Sequence, residues 1–138
     1  MNKQEVLLEL IELLSEFSVH DAFIPELSAI LKNSGQEAKF LAVFRTRLKT
    51  LSQYGADAIN VVPTQFELLS HNSGGIYSMH ADTRDLNIRI LYTFLDDGTI
   101  LLLPFNERSG KRRTDYTSKI PEAISRVQDF QKGGHNDE

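Results

Sequence analysis

Leu86-Asn87-Ile88-Arg89-Ile90-Leu91-Tyr92-Thr93-Phe94-Leu95, followed by Asp96-Asp97-Gly98 and then Thr99-Ile100-Leu101-Leu102-Leu103-Pro104-Phe105, is the stretch that decides the fold. Leu86, Ile88, Ile90, Tyr92 and Phe94 alternate with Asn87, Arg89, Leu91, Thr93 and Leu95, which is the period of an extended strand. Asp97-Gly98 is a tight hairpin signal, so residues 99–105 should return antiparallel. Upstream, residues 64–70 and 76–81 read as two shorter strands around the turn Asn72-Ser73-Gly74-Gly75, and residues 82–85 as a polar turn. The expected sheet is therefore a four-stranded antiparallel meander. Ile88, Ile90, Tyr92 and Phe94 should face the core. Asn87, Arg89 and Thr93 should show on the other face. Ser78 and His80 share a face of their own strand, but their register against Arg89 is open.

The residues before the sheet change period. Val6, Leu7, Leu10, Ile11, Leu13, Leu14 and Phe17 recur at helical spacing, opposite Glu5, Glu9, Glu12 and Glu16. A second helix is expected over residues 21–32, with Pro25 in its first turn. Ser34 and Glu37 have the spacing of a capping box for a third, which carries Phe40, Leu41, Val43, Phe44, Leu48 and Leu51 on its apolar side. Arg45, Arg47 and Lys49 read as its solvated face, and Gly55 as its end. After the sheet comes a basic loop, residues 107–115. A last amphipathic helix is expected over residues 121–130, and residues 131–138 read as a disordered tail. Helices, then a meander, then one helix make an α+β chain rather than a doubly wound one.

Length and composition bound the function. The 138 residues suit one domain with its own core. No apolar run approaches the ~20 residues of a membrane span. The N-terminus carries no cationic leader or small-residue cleavage site, and cysteine is absent, so a reducing cytoplasm is expected. The net charge of −4 argues against general nucleic-acid binding. Its distribution is uneven. Residues 1–33 hold two lysines against six acids, whereas residues 107–119 hold Arg108, Lys111, Arg112, Arg113 and Lys119 against Glu107 and Asp115. That patch suits a focused anionic contact. His20, His71 and His135 are too scattered to suggest a metal site, so neither metal nor cofactor is expected.

In this order the motifs resemble a known family. Gly75-Ile76-Tyr77-Ser78-Met79, then Ile88-Arg89-Ile90-Leu91-Tyr92-Thr93-Phe94, Asp97-Gly98, Leu101-Leu102-Leu103-Pro104-Phe105 and Ser109-Gly110-Lys111-Arg112-Arg113-Thr114 resemble the RelE/ParE superfamily of type II toxin–antitoxin systems, in its phage-derived, HigB-like branch. The resemblance covers residues 36–130, and residues 1–33 look like an acidic helical addition. It implies a small antiparallel sheet packed on N-terminal helices. It also implies a ribosome-dependent mRNA endonuclease that uses the substrate's 2′-hydroxyl without a metal, checked by a cognate antitoxin with a helix-turn-helix. A related branch instead inhibits DNA gyrase. The alternative is therefore a non-catalytic module of this fold that holds a protein partner.

Such cleavage needs groups that move protons and cations that stabilise a pentavalent phosphorane. Arg89 matches the strand arginine that the family presents to phosphate. It could instead pair with an acid such as Asp82 or Asp85. His80 stands where many family members have arginine, and Ser78 where they have glutamate. His80 can work as a base near neutral pH or be a solvated strand-end residue. The resemblance implies that Asp115 and Tyr116, an acid and a phenol, contribute to RNA cleavage: Tyr116 could stack on a base or hold a proton, whereas Asp115 could instead cap the last helix and Tyr116 pack on its flank. Arg108, Lys111, Arg112 and Arg113 are the RNA-binding cations that the resemblance implies.

Overall fold

Asn2 and Glu5 open the chain with a reciprocal cap. The Asn2 side chain accepts from the Glu5 amide and Glu5 from the Asn2 amide, both at 2.9 Å. This computed structural model describes residues 1–69, 75–96 and 98–133. The elements are α1 (Lys3–Leu13), β1 (Ser18–Val19), α2 (Phe23–Leu31), α3 (Glu37–Tyr54), a 3₁₀ turn (Gly55–Asp57), α4 (Ala58–Val61), β2 (Phe66–Leu68), β3 (Tyr77–Asp82), β4 (Asn87–Leu95), β5 (Gly98–Asn106) and α5 (Arg112–Gly133). The four expected strands are present, so the architecture is α+β as read. The sheet, however, has five strands in the order β1-β5-β4-β3-β2 and is mixed. The additional strand is β1, which pairs parallel to β5 through Ser18 and Ile100, and Val19 and Leu101. Two residues carry no periodicity, which is why the sequence does not announce it.

Residues 1–33 thus supply a strand to the sheet and side chains to the core. Val6, Leu10, Leu14, Phe23, Leu27 and Leu31 lie in one buried cluster with Phe40, Phe44, Ile88, Ile90 and Tyr92. The second face, expected to be open, is covered. Leu91, Leu102, Leu103 and Phe105 pack there against Tyr116 and Ala123 of α5, so Arg89 and Thr93 are buried. The chain therefore stacks helices, sheet and helix in three layers. A register shift at Leu91/Tyr92 leaves Leu102 without a direct partner on β4. Arg126 of α5 donates to the Leu102 carbonyl at 2.9 Å, and its guanidinium is gripped by Glu26 at 2.6 Å and Glu122 at 2.9 Å. Where β5 runs past the short β1, Pro104 lacks an N–H, which suits an edge that needs no donor.

Three local expectations are corrected. The helix α3 is preceded by Gln36, whose side chain gives no cap bond, and Ser34 Oγ accepts from the Gln36 amide at 3.0 Å instead of capping through Glu37. Gln36 itself is buried and joins α3 to the β3–β4 turn through Thr83 and Asp85. Arg47 does not lie on a solvated face, because its Nε donates to the His80 carbonyl at 2.8 Å. The helix α5 begins nine residues earlier than expected and contains Pro121. Proline can start a helix, and that bias misplaced the boundary. Inside α5 it removes the donor that the Thr117 carbonyl would receive and crowds that carbonyl with its ring. The helix also runs through Gly133, so residues 131–133 are not tail, and residues 134–138 lie outside the described residues. His71, His135, the turn at residues 72–74, residue 70 at the end of the first expected strand and Asp97 of the hairpin signal lie outside them too.

Candidate functional site

Strand registry builds the site. Glu67 on β2 stands opposite Ser78 on β3, and His80 on β3 stands opposite Arg89 on β4. All four side chains fall on the α5 face of the sheet. There the first turn of α5 brings Arg112 and Tyr116, which are i and i+4 neighbours on one helix face.

The centre is the Glu67 carboxylate. Its Oε1 takes a hydrogen bond from Arg112 at 2.8 Å, lies 3.1 Å from His80 Nε2 and makes a long 3.5 Å contact with the Tyr116 hydroxyl. Its Oε2 receives the same Arg112 nitrogen at 3.0 Å. The bond from His80, ahead of the cost of burial and the Arg112 charge, holds the Glu67 carboxyl at about 2, well below the ordinary range. Glu67 is therefore an anion at neutral pH and can only accept, so His80 Nε2 carries the proton between them. Among the described residues His80 Nδ1 has no hydrogen-bond partner. That tautomer leaves the Nδ1 lone pair available as a base.

Tyr116 is buried, and burial pushes its phenol up to about 12. It stays protonated; its oxygen lies 2.7 Å from Ser78 Oγ, where either hydroxyl can donate, and 3.5 Å from His80 Nε2, whose own proton is directed at Glu67. Phe105 meets its ring edge-on and the Arg112 guanidinium lies 4.7 Å above the ring centre, so the phenol is fixed from both sides. A shallow groove of about 380 Å³, lined by Leu69, Arg112, Arg113, Tyr116, Thr117 and Ile120, runs alongside.

Arg89 is the second centre. Its NH1 donates to Asp82 at 2.6 Å and its Nε to Glu107 at 2.9 Å. Burial penalises the charge, but the two carboxylates outweigh that and raise the guanidinium above its ordinary value. The side chain is only 9% exposed, so Arg89 is committed to its own acids, Asp82 among them as the sequence allowed. Glu107 links the two centres, since it also lies 3.8 Å from Arg112 NH1.

The remaining sequence candidates separate from this group. Asp115 is held by Arg108, which donates from its backbone N at 2.8 Å and from Nε at 2.9 Å. That side-chain pairing comes first among the causes that lower the Asp115 carboxyl below its usual value. Both residues open onto a different groove, of about 540 Å³, beside Glu26, Asn106 and Lys119. Lys111 and Arg113 are exposed, and among the described residues neither side chain forms an ion pair. The structure thus brings together His80, Tyr116 and Arg112, places Arg89 one carboxylate away, and sets Asp115 and Arg108 apart. Sequence reasoning missed Glu67 and the bridging role of Glu107. Glu67 was within reach of it, because Phe66 is a core residue and its strand neighbour must face the other way.

The group can accept a proton at an imidazole, donate one from a phenol, and bind an anion through a guanidinium. Among the described residues no cluster of histidines and acids is placed to hold a metal ion, and no helix is long and apolar enough to cross a membrane. No protein-family model, curated protein or solved structure matches the chain.

Proposed function

We propose that this protein is the toxin of a type II toxin–antitoxin system and cleaves mRNA on the ribosome. The observation that carries the reading is the convergence of His80, Tyr116 and Arg112 on one half-open face, beside Lys111 and Arg113, which pair with no acid among the described residues. In this reading the substrate's 2′-oxygen attacks the adjacent phosphorus and loses its proton to the His80 imidazole. The P–O5′ bond breaks, and the leaving 5′-oxygen takes a proton from the protein, with the Tyr116 phenol as the nearest donor. A 2′,3′-cyclic phosphate and a 5′-hydroxyl result. Arg112 neutralises the non-bridging oxygens, and its planar fork suits them. Lys111 and Arg113 hold flanking phosphates. Arg89 is a positioning residue that supports the sheet under His80. The resemblance along residues 36–130 supplies the substrate class and the antitoxin partner.

A second reading has its own support. Arg89 and Arg112 are both engaged by the chain's own carboxylates, as befits a module that has given up phosphate chemistry. Such a module would hold a protein partner, an antitoxin or a gyrase subunit, and β2, the last strand of the sheet, with Leu68 exposed, offers an edge for it.

Induced expression in bacteria without an antitoxin separates the two. mRNA 5′ ends are mapped with translation running and with it blocked. The toxin reading expects growth arrest with new, translation-dependent cuts. His80→Ala should slow cutting by ~10²–10⁴ and Tyr116→Phe should slow it measurably. Normal growth with intact mRNA would sink the toxin reading. Arrest without cuts would favour the partner-binding module, with gyrase tested next.

A further inference from the structure

We infer that Glu67 occupies a phosphate site, and that a phosphodiester enters by displacing its carboxylate from Arg112, His80 and Tyr116. The inference rests on the toxin reading for its substrate but on geometry for the site.

Oε1 of Glu67 gathers donors from three separate positions: Arg112 at 2.8 Å, His80 Nε2 at 3.1 Å and Tyr116 at 3.5 Å. A cation, an imidazole N–H and a phenol around one oxygen are what a phosphoryl oxygen asks for. None of these donors requires a carboxylate in particular. Glu67 reaches them from β2, the last strand in the sheet order and only three residues long, and its side chain is 30% exposed. It can swing toward solvent without breaking a core contact. Arg112, 51% exposed, can follow an incoming group, whereas the buried Tyr116 and the strand-borne His80 stay fixed. Lys111 and Arg113 flank Arg112 in the chain and, among the described residues, pair with no acid, so the anion that replaces Glu67 gains charge that Glu67 does not use. The groove beside Tyr116 and Leu69 is open for the attached sugar and base. Glu67 in this position occupies the Arg112 guanidinium in the resting site, and the substrate must outcompete it.

Inorganic phosphate is the probe, titrated against sodium chloride at matched ionic strength and followed by NMR signals of His80 and Tyr116. In the native chain phosphate should move both signals where chloride does not. Glu67→Ala and Glu67→Gln should bind phosphate about tenfold more tightly than the native chain. Adding Arg112→Ala to Glu67→Ala should remove that gain. If both Glu67 variants bind no better than the native chain, or if native His80 and Tyr116 ignore phosphate, the inference is overturned. Should the variants fail to fold, the native titration decides alone. The titration needs neither ribosome nor mRNA. A gain in phosphate binding without mRNA cuts in cells would uphold the anion site and retire the endonuclease. Cuts in cells with no phosphate response would do the reverse.

Discussion

Two arginines of the site look alike in sequence and differ in what they hold up. Arg89 is buried between Asp82 and Glu107, and Glu107 is itself only 15% exposed. Removing the guanidinium strands a carboxylate in a poorly hydrated place, which is costly. Arg89→Ala should destabilise the fold by about 3 kcal/mol in urea unfolding. Arg112 is half-exposed, and its bridge to Glu67 is a surface pair, so Arg112→Ala should cost no more than about 1 kcal/mol. Equal losses would mean that Arg112 is as structural as Arg89. The contrast governs how activity data are read, since only Arg112→Ala can report on chemistry without unfolding. Glu67 adds a pH signature. Its carboxyl is depressed in the fold, so its contribution is complete above the ordinary carboxylate range and is lost as pH falls toward about 2. Acid titration of native stability should lose ~1–3 kcal/mol in that window, and Glu67→Gln should flatten the loss. An unchanged acid profile in Glu67→Gln would mean that the pairing with His80 and Arg112 contributes nothing.

At the scale of elements, the short β1 ties the N-terminal helices to the sheet. Beyond it, His20 Nδ1 accepts from the Ala22 amide at 3.1 Å, and Nε2 donates to Asp129 of α5 at 2.8 Å. The N-terminal segment is therefore fastened to both the sheet and the last helix. Its six core side chains each contribute about 1.5–3 kcal/mol on burial. That sum reaches the whole net stability of a typical domain, about 5–15 kcal/mol. A chain beginning at residue 34 should consequently show no cooperative thermal transition by circular dichroism. A folded truncation would show that residues 1–33 are dispensable to the fold. The strands β2 to β5 were legible because alternation and turn chemistry agree there, and α1 to α3 because their apolar stripes are long. What stayed hidden was whatever depends on pairing at a distance. A two-residue parallel strand has no period to read. The start of α5 was masked by Pro121, and the burial of the second sheet face by the resulting short helix. His80, Tyr116 and Arg112 could be named from residue type, whereas their meeting at Glu67 depended on strand register.

The whole molecule segregates its charge. Glu5, Glu9, Glu12 and Glu16 belong to α1 and the turn after it, which pack with α2 and α3 on one face of the sheet. The site and its cations lie on the other face with α5. The acidic N-terminal segment therefore does not cover the site, and the net charge of −4 understates the local field there. Among the described residues few cations face that side without an acid partner, and this limits how much binding phosphate neutralisation can drive. With Lys111, Arg112 and Arg113 meeting single-stranded RNA, the logarithm of affinity should fall against the logarithm of salt with a slope of about −2. Replacing Lys111 and Arg113 by glutamine should bring the slope to about −0.7, because only the Arg112 contact remains. The measurement is binding of the His80→Ala protein to ribosomes carrying mRNA across a salt series, so that no cutting intervenes. A slope near −2 that shrinks in the double variant ties affinity to this one basic turn. A slope several units steeper would mean that cations elsewhere on the chain contact RNA. A slope near zero would mean that the face binds an apolar protein surface, since burial of apolar area does not respond to counterion release.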